Sequence, residues 1–208
     1  MKLIGITGPT GAGKTTALNV LREFGGAVID CDAVYHQLIA GCRPMREELT
    51  GRFGDIFLPE GGLDRQRLGE LVFSDPAALA DLNAITHRYV GAEVDRLLRE
   101  ARAAGCPAAA VDAIALLEGG LKDRCDATVA ILAPLEDRVK RIMAREGIPE
   151  DYARKRAGAQ KEDGYFRANC TYTLMNDGDP ADFAQAARAL FAQLLRDEQN
   201  SKGGEQYE

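Results

Sequence analysis

Eight residues near the start, Gly8-Pro9-Thr10-Gly11-Ala12-Gly13-Lys14-Thr15, constrain this chain more than anything else in it. They spell G-x-x-x-x-G-K-[ST], and their setting matters as much as their spelling. Before them, residues 3–7 form an apolar run that reads as a buried strand; after them, Ala17, Leu18, Leu21 and Phe24 share one helical stripe that ends at Gly25-Gly26. Glycines let the backbone wrap a phosphate group with its N–H donors turned inward. A helix starting near Lys14 adds the positive end of its dipole. Lys14 supplies a mobile cation for the β- and γ-phosphates, and the Thr15 hydroxyl is a natural Mg²⁺ ligand. The residues expected around ATP are therefore Gly8, Thr10, Gly11, Ala12, Gly13, Lys14, Thr15 and Thr16. A chance glycine-rich turn does not bring eight patterned positions into a strand–helix junction.

Beyond the loop, short apolar runs alternate with helical periods, which predicts an α/β fold built on a parallel sheet. Strands are expected at Ala27–Asp30, Ala108–Asp112, Ala127–Leu132 and, from a weaker pattern, Tyr172–Met175. The block 34–104 is mostly helical, punctuated by Pro44, Gly61-Gly62 and Asp75-Pro76. Asp64 and Asp75 fit helix N-caps there, and Val90, Val94, Leu97, Leu98 and Ala101 form a core stripe. Residues 135–167 are charged and helical, and Phe183, Ala187, Leu190, Phe191 and Leu194 mark a closing amphipathic helix. The expected layout is one domain over 1–198 in three layers, with a helical insertion at 34–104, a basic lid at 135–167 and a polar, frayed tail at 199–208.

Charge and composition narrow the function classes. Of 208 residues, 26 are Lys or Arg and 32 Asp or Glu, a net charge of −6 that argues against general affinity for nucleic-acid phosphates. No apolar run approaches the roughly 20 residues of a spanning helix, and the start meets Gly and Thr too early for a secretory signal core. Five cysteines without a C-x-x-C pair, beside two histidines, fit reduced thiols in a cytoplasmic protein better than a zinc site. The expected partner is a small-molecule substrate, with no nucleic acid or membrane, and the chain a monomer or weak homo-oligomer.

A loop that holds a triphosphate serves transfer, hydrolysis or switching. Transfer needs a base near an acceptor hydroxyl and cations around the moving phosphoryl group. Asp30 and Asp32 follow the second strand, where alternation would send both to one side; alternatively Asp32 merely caps the next helix. Asp112 ends the third strand, placed to hold the metal's water shell, again with a helix cap as the alternative. Arg138, Arg141 and Arg145, spaced three and then four, share a helical face that suits a mobile basic lid. No N-K-x-D segment for reading a guanine base is present, and no basic stripe with interleaved aromatics supports a nucleic-acid motor. A small-molecule kinase is the leading reading.

Several separated segments together resemble the dephospho-CoA kinase family, from residue 1 to about 196. Val28-Ile29-Asp30-Cys31-Asp32 is similar to its V-I-D-x-D, and Gly61-Gly62-Leu63-Asp64-Arg65 through Leu71-Val72-Phe73 to its G-x-L-D-R…L-x-x-x-V-F. Leu82-Asn83-Ala84-Ile85-Thr86-His87 is similar to its L-N-x-I-x-H, and Asp112 with Leu116-Leu117-Glu118 to its D-x-P-L-L-F-E. Arg141 and Arg145 resemble its lid arginines, Gln160 its R-I-x-x-Q, and Asn176 the Asn closing its last strand. The resemblance implies ATP-dependent phosphorylation of the ribose 3′-hydroxyl of dephospho-CoA, on a P-loop kinase core with a helical CoA-binding subdomain and a lid. It implies Asp32 as the base, Lys14 and Arg141 as cations on the transferring group, and Asn176 near the adenine. It also makes Asp32, His87, Leu116, Arg145 and Gln160 candidate acceptor contacts, and Thr15 with Asp112 the Mg²⁺ holders.

The chain departs from the family pattern at Arg88, Ile114-Ala115, Ala157 and Cys170-Thr171, none of which the phosphoryl chemistry needs. For His87, a core or hydrogen-bonding role is expected before a catalytic one. Two other readings stand beside the kinase: a different nucleoside or nucleotide acceptor, which the long helical insertion disfavours, and a nonenzymatic ATP-binding regulator, which the intact Lys14, Thr15, Asp32, Asp112 and Arg141 disfavour.

Overall fold

The computed structural model describes residues 1–59, 61–113, 116–117 and 120–203, with side chains to residue 196. The chain divides into two compact units, one made of Met1–Ile29 with Ala101–Glu208 and the other of Asp30–Glu100.

The first unit carries the sheet. Its strands are β1 (Lys2–Thr7), β2 (Ala27–Asp30), β3 (Ala108–Asp112), β4 (Ala127–Leu132) and β5 (Tyr172–Met175). They lie in the order β2-β3-β1-β4-β5, with β1 in the middle of a parallel sheet. Burial on both faces explains why β1, β3 and β4 are almost uninterrupted apolar runs. On β4, Val129 and Ile131 join a core with α1 (Lys14–Glu23) and α9 (Pro180–Gly203), whose anchors are Leu18, Leu21, Phe183, Phe191 and Leu194. The alternate residues Ala130 and Leu132 pack instead with Phe166 of α8 (Asp163–Asn169). Period-two alternation thus feeds two helical layers, giving the three-layer architecture. The charged stretch resolves into α6 (Leu135–Glu146), α7 (Glu150–Gly158) and α8, with Val139 and Ile142 of α6 packed on Ala153 and Ala157 of α7. The helix α9 runs through Gly203, so the boundary expected at Gln199 falls inside it; residues 204–208 lie outside the described residues.

The second unit is helical: α2 (Cys31–Gly41), α3 (Arg43–Phe53), α4 (Arg65–Ser74) and most of α5 (Pro76–Ala103). Fully buried Met45, Leu49 and Ile56 centre its core, with Ile39, Phe53, Leu68, Val72 and Ile85 around them. Burying each such side chain contributes about 1.5–3 kcal/mol, so this core accounts for a unit that forms its own cluster. The expected caps are present. Asp64 Oδ1 accepts from the Arg67 N–H at 2.9 Å, and Asp75 Oδ1 from the Ala77 N–H at 2.8 Å, ahead of Pro76. Between α3 and α4 the chain is held by Arg46, which donates to the carbonyls of Ile39 (2.8 Å) and Gly61 (2.7 Å) and stacks 4.0 Å over the Phe57 ring.

Candidate active site

The loop after β1 is shaped by glycines that no other residue could replace. Gly8, Gly11 and Gly13 hold φ of 137°, 81° and 104°, in the region L-residues avoid. Space forbids a side chain as firmly as torsion does. A Cβ on Gly8 would lie 2.1 Å from the Ile131 carbonyl oxygen, one on Gly11 2.7 Å from the Arg138 carbonyl oxygen, and one on Gly13 2.2 Å from Asn176 Nδ2. Gly13 then starts α1, whose first turn closes when Thr16 N–H donates to the Gly13 carbonyl at 3.0 Å. The helix therefore points its N-terminus, with its positive dipole end, at the loop. Lys14 folds back and donates from Nζ to the Gly8 carbonyl at 3.0 Å, which stations an ammonium group within the loop's curve.

Two residues from elsewhere in the first unit close on this loop. Asn176, just past β5 and 6% exposed, donates from Nδ2 to the Ala12 carbonyl at 2.8 Å. Arg141 of α6 donates to the carbonyls of Gly11 (3.2 Å) and Ala12 (3.4 Å) and to Asn176 Oδ1 (3.3 Å). Arg141 thus sits against the loop with its charge unneutralised by any of these acceptors. Strand register puts Asp112 beside Ile6, one residue before β1 ends. A threonine hydroxyl and one carboxylate, with water and phosphate oxygens, make the hard-oxygen set Mg²⁺ accepts. Thr15 is exposed on the first turn of α1, so the donors present fit that cation.

Other expectations come out differently. Alternation does not carry Asp30 and Asp32 to one side, because β2 stops at Asp30 and α2 begins at Cys31. Asp30, not Asp32, is the cap: its Oδ1 accepts from the Ala33 N–H at 2.9 Å. Asp32 stays exposed in the first turn of α2, within the second unit. Leu116, expected at the acceptor, is fully buried and packs over Gly5, where an added Cβ would meet Leu116 Cδ2 at 2.8 Å. It is core, because β1 leaves that space empty for it. His87 is exposed on α5, which removes the core role expected for it. Glu118, Ile114 and Ala115 lie outside the described residues.

The basic run is largely spent on its own neighbours. Arg145 pairs with Glu146 at 2.7 Å, and Arg156 pairs with the same carboxylate. Arg154 bridges Glu136 (2.6 Å) and Glu150 (2.7 Å). Hydrogen bonds from Arg154 hold the Glu136 carboxyl below its ordinary value, as those from Arg145 and Arg156 do for Glu146. Arg145 is thus paired within α6 while its side chain stays 60% exposed.

Arg138, on the spacing that puts it on one basic face with Arg141 and Arg145, turns inward instead. It is 6% exposed, and it donates from Nε to the Thr10 carbonyl at 3.0 Å. Its second nitrogen donates to the Ala157 carbonyl (3.2 Å) and to Gln160 Oε1 (2.9 Å). Gln160, expected at the acceptor, grips the loop instead: Oε1 accepts from the Thr10 N–H at 2.9 Å, and Nε2 donates to Thr10 Oγ1 at 3.0 Å. Burial lowers the Arg138 pKa, partly offset by the nearby Asp163. With Val139 and Ile142, Arg138 makes up the buried stripe of α6.

The family departures have local partners. Arg88 pairs with Glu48, which also accepts from Tyr89 Oη at 3.1 Å. Thr171 N–H donates to Thr128 Oγ1 at 2.9 Å, while Thr128 N–H donates to Thr171 Oγ1 at 3.3 Å, tying the start of β5 to β4.

A parallel sheet with this loop on its central strand, a lysine inside the loop and an arginine from α6 against it define a P-loop kinase. Comparison with known proteins narrows the class. The dephospho-CoA kinase family profile matches residues 2–182. Dephospho-CoA kinase of Thermobifida fusca is 34% identical over 94% of this chain and 98% of its own length; that of Thermus thermophilus is 37% identical over 97% and 95%. A Thermus thermophilus crystal structure, TT1252, superposes with a TM-score of 0.75 at 36% identity, covering 93% of this chain and 97% of the other. Campylobacter jejuni dephospho-CoA kinase, at 22% identity, shares the fold with a TM-score of 0.67 over 95% of this chain and all of its own. The chain belongs to the dephospho-CoA kinase family.

Proposed function

We infer that this chain transfers the γ-phosphoryl group of ATP to the ribose 3′-hydroxyl of dephospho-CoA, giving coenzyme A and ADP, the last step of coenzyme A synthesis. The observation that carries this reading is a family match spanning both compact units, from residue 2 to residue 182. The phosphate loop alone is common to many kinases; a match that includes the whole helical unit is not.

In the reaction, the 3′-oxygen forms a bond to the γ-phosphorus as the bond to the bridging oxygen breaks, and ADP departs with that electron pair. Asp32 takes the hydroxyl proton; its exposure on the first turn of α2 leaves the carboxylate available for that task. Lys14 moves from the Gly8 carbonyl to the β- and γ-phosphates, and Arg141 offers its charge to the transferring group. Mg²⁺, when bound, neutralises phosphate charge, and Thr15 and Asp112 are the residues that would hold it, Asp112 through water. Asn176 lies at the loop on the side proposed for adenine. The helical unit, Asp30–Glu100, is proposed as the acceptor-binding part, with His87 a candidate contact there, and 135–167 as the lid. The odd set of five thiols supports a reducing, cytoplasmic setting.

The test is ADP release measured with dephospho-CoA and with a panel of nucleosides. ADP formed only with dephospho-CoA is the expected result. A nucleoside that replaces it would reassign the acceptor, and ATP binding without ADP release under any condition would make the chain a regulator.

A further inference from the structure

Thr10 lies within the phosphate loop, and all three of its polar groups are taken by residues from beyond α5. Its N–H and hydroxyl are both held by the Gln160 amide, and its carbonyl by Arg138. Arg138 in turn donates to the Gln160 oxygen, which fixes the amide's orientation, and to the Ala157 carbonyl, which fixes the end of α7. The arrangement is closed: Arg138 touches Thr10 directly and also aims the group that grips Thr10 from the other side. A guanidinium suits the role because it offers several donors in a rigid planar fork, whereas an ammonium offers a single point of charge. Its burial raises the stakes, since a nearly dry cation held by carbonyl and amide oxygens, with Asp163 near, is costly to strip of a partner.

We propose that Arg138 is a positioning residue for ATP: acting through Gln160, it clamps Thr10 and so holds the phosphate loop in its binding shape while tying that shape to the helix pair α6–α7. The clamp consumes the polar groups of Thr10 and leaves the loop's inner curve, where Lys14 lies, for the nucleotide. Loosening it spreads the loop over conformations of which only some bind, so ATP affinity falls while the acceptor's affinity does not. This rests on the kinase reading only in its choice of nucleotide, because the decisive measurement needs no acceptor.

The experiment is calorimetric titration of ATP into the parent chain, Arg138→Met, Gln160→Met and the double variant, with unfolding temperatures measured alongside. Each single variant is expected to lose about tenfold in affinity, the worth of one to two hydrogen bonds. The double variant is expected to be within about threefold of the weaker single, since one clamp can be broken only once. KM for dephospho-CoA is expected to stay within twofold. Affinity within threefold of the parent in Gln160→Met overturns the proposal, and so does a double variant whose losses multiply to about a hundredfold. If Arg138→Met does not fold, Gln160→Met decides alone. A parent that binds ATP but does not phosphorylate dephospho-CoA sinks the kinase reading and leaves the clamp standing; a parent that binds no ATP sinks both.

Discussion

The glycines of the phosphate loop and those inside the helices of the second unit obey different rules. In the first unit, side chains at Gly8, Gly11 and Gly13 are excluded by positive φ and by atoms 2.1 to 2.7 Å from where a Cβ would sit. In the second, Gly51 of α3 and Gly91 of α5 adopt helical backbone, and an added Cβ meets no described atom within 4 Å. One region is specified by backbone geometry that a single residue type satisfies. The other is specified by an amphipathic pattern that many residues satisfy, with its caps and its Arg46 brace added. A short motif can therefore announce the nucleotide grip, whereas the helical unit can be recognised only by assembling several weak segments.

The same substitution on both sides tests this contrast at its widest. Gly8→Ala is expected to weaken ATP binding by at least about a hundredfold, because the methyl group collides with the Ile131 carbonyl and the torsion is strained besides. Affinity near the parent's by calorimetry would break the comparison outright. A second variant asks whether the helical unit contributes chemistry and not only shape. Asp32→Asn is expected to keep ATP affinity within twofold and to lower kcat by about 10² to 10⁴, the range for a general base; near-normal turnover excludes Asp32.

Tight packing in the first unit should also be visible as a pH effect. Burial, reinforced by the neighbouring Asp126, pushes the Cys125 thiol up to about 11 from an ordinary 9.0. A raised folded-state pKa means that its share of stability is whole below pH 9 and is lost as pH rises toward 11. That share is at most about 2.7 kcal/mol before solvent screening at this half-buried site reduces it. Cys125→Ala is expected to flatten the fall in unfolding free energy over that window, measured by urea titration at each pH; an unchanged slope clears the thiol. The smallest effect is expected from Gly91→Ala, which should raise stability by about 0.5 to 1 kcal/mol and the unfolding temperature by a few degrees. A loss there would mean the helical unit is packed as closely as the loop.

The legibility of the chain follows the same divide. The three inner strands and the loop could be read because burial on both faces leaves long apolar runs and because phosphate binding fixes glycine positions, whereas the half-buried rim strand β5 left a weaker pattern. The caps at Asp64 and Asp75 were readable because a cap is satisfied within three residues. Arg138 was not, since the acceptors that make its burial tolerable lie at Thr10, Ala157 and Gln160, up to 128 positions away. Leu116 misled for a similar reason: its pocket is a missing side chain at Gly5, on another strand. Asp30 and Asp32 misled locally, because an aspartate that ends a strand can equally start a helix, and only the bond to Ala33 decides.

The place of β1 in the sheet reaches beyond shape. Strands flank it on both sides, Ile4 and Ile6 standing level with Ala110 and Asp112 of β3 on one side and with Ala127 and Val129 of β4 on the other, while β2 and β5 take the rims. Amide protons along β1 should therefore be among the slowest in the chain to exchange with deuterated water, outlasting those of either rim. The turn that grasps the nucleotide hangs from that slow strand, so warming would fray the margins of the molecule well before it loosened the anchor of the grasp.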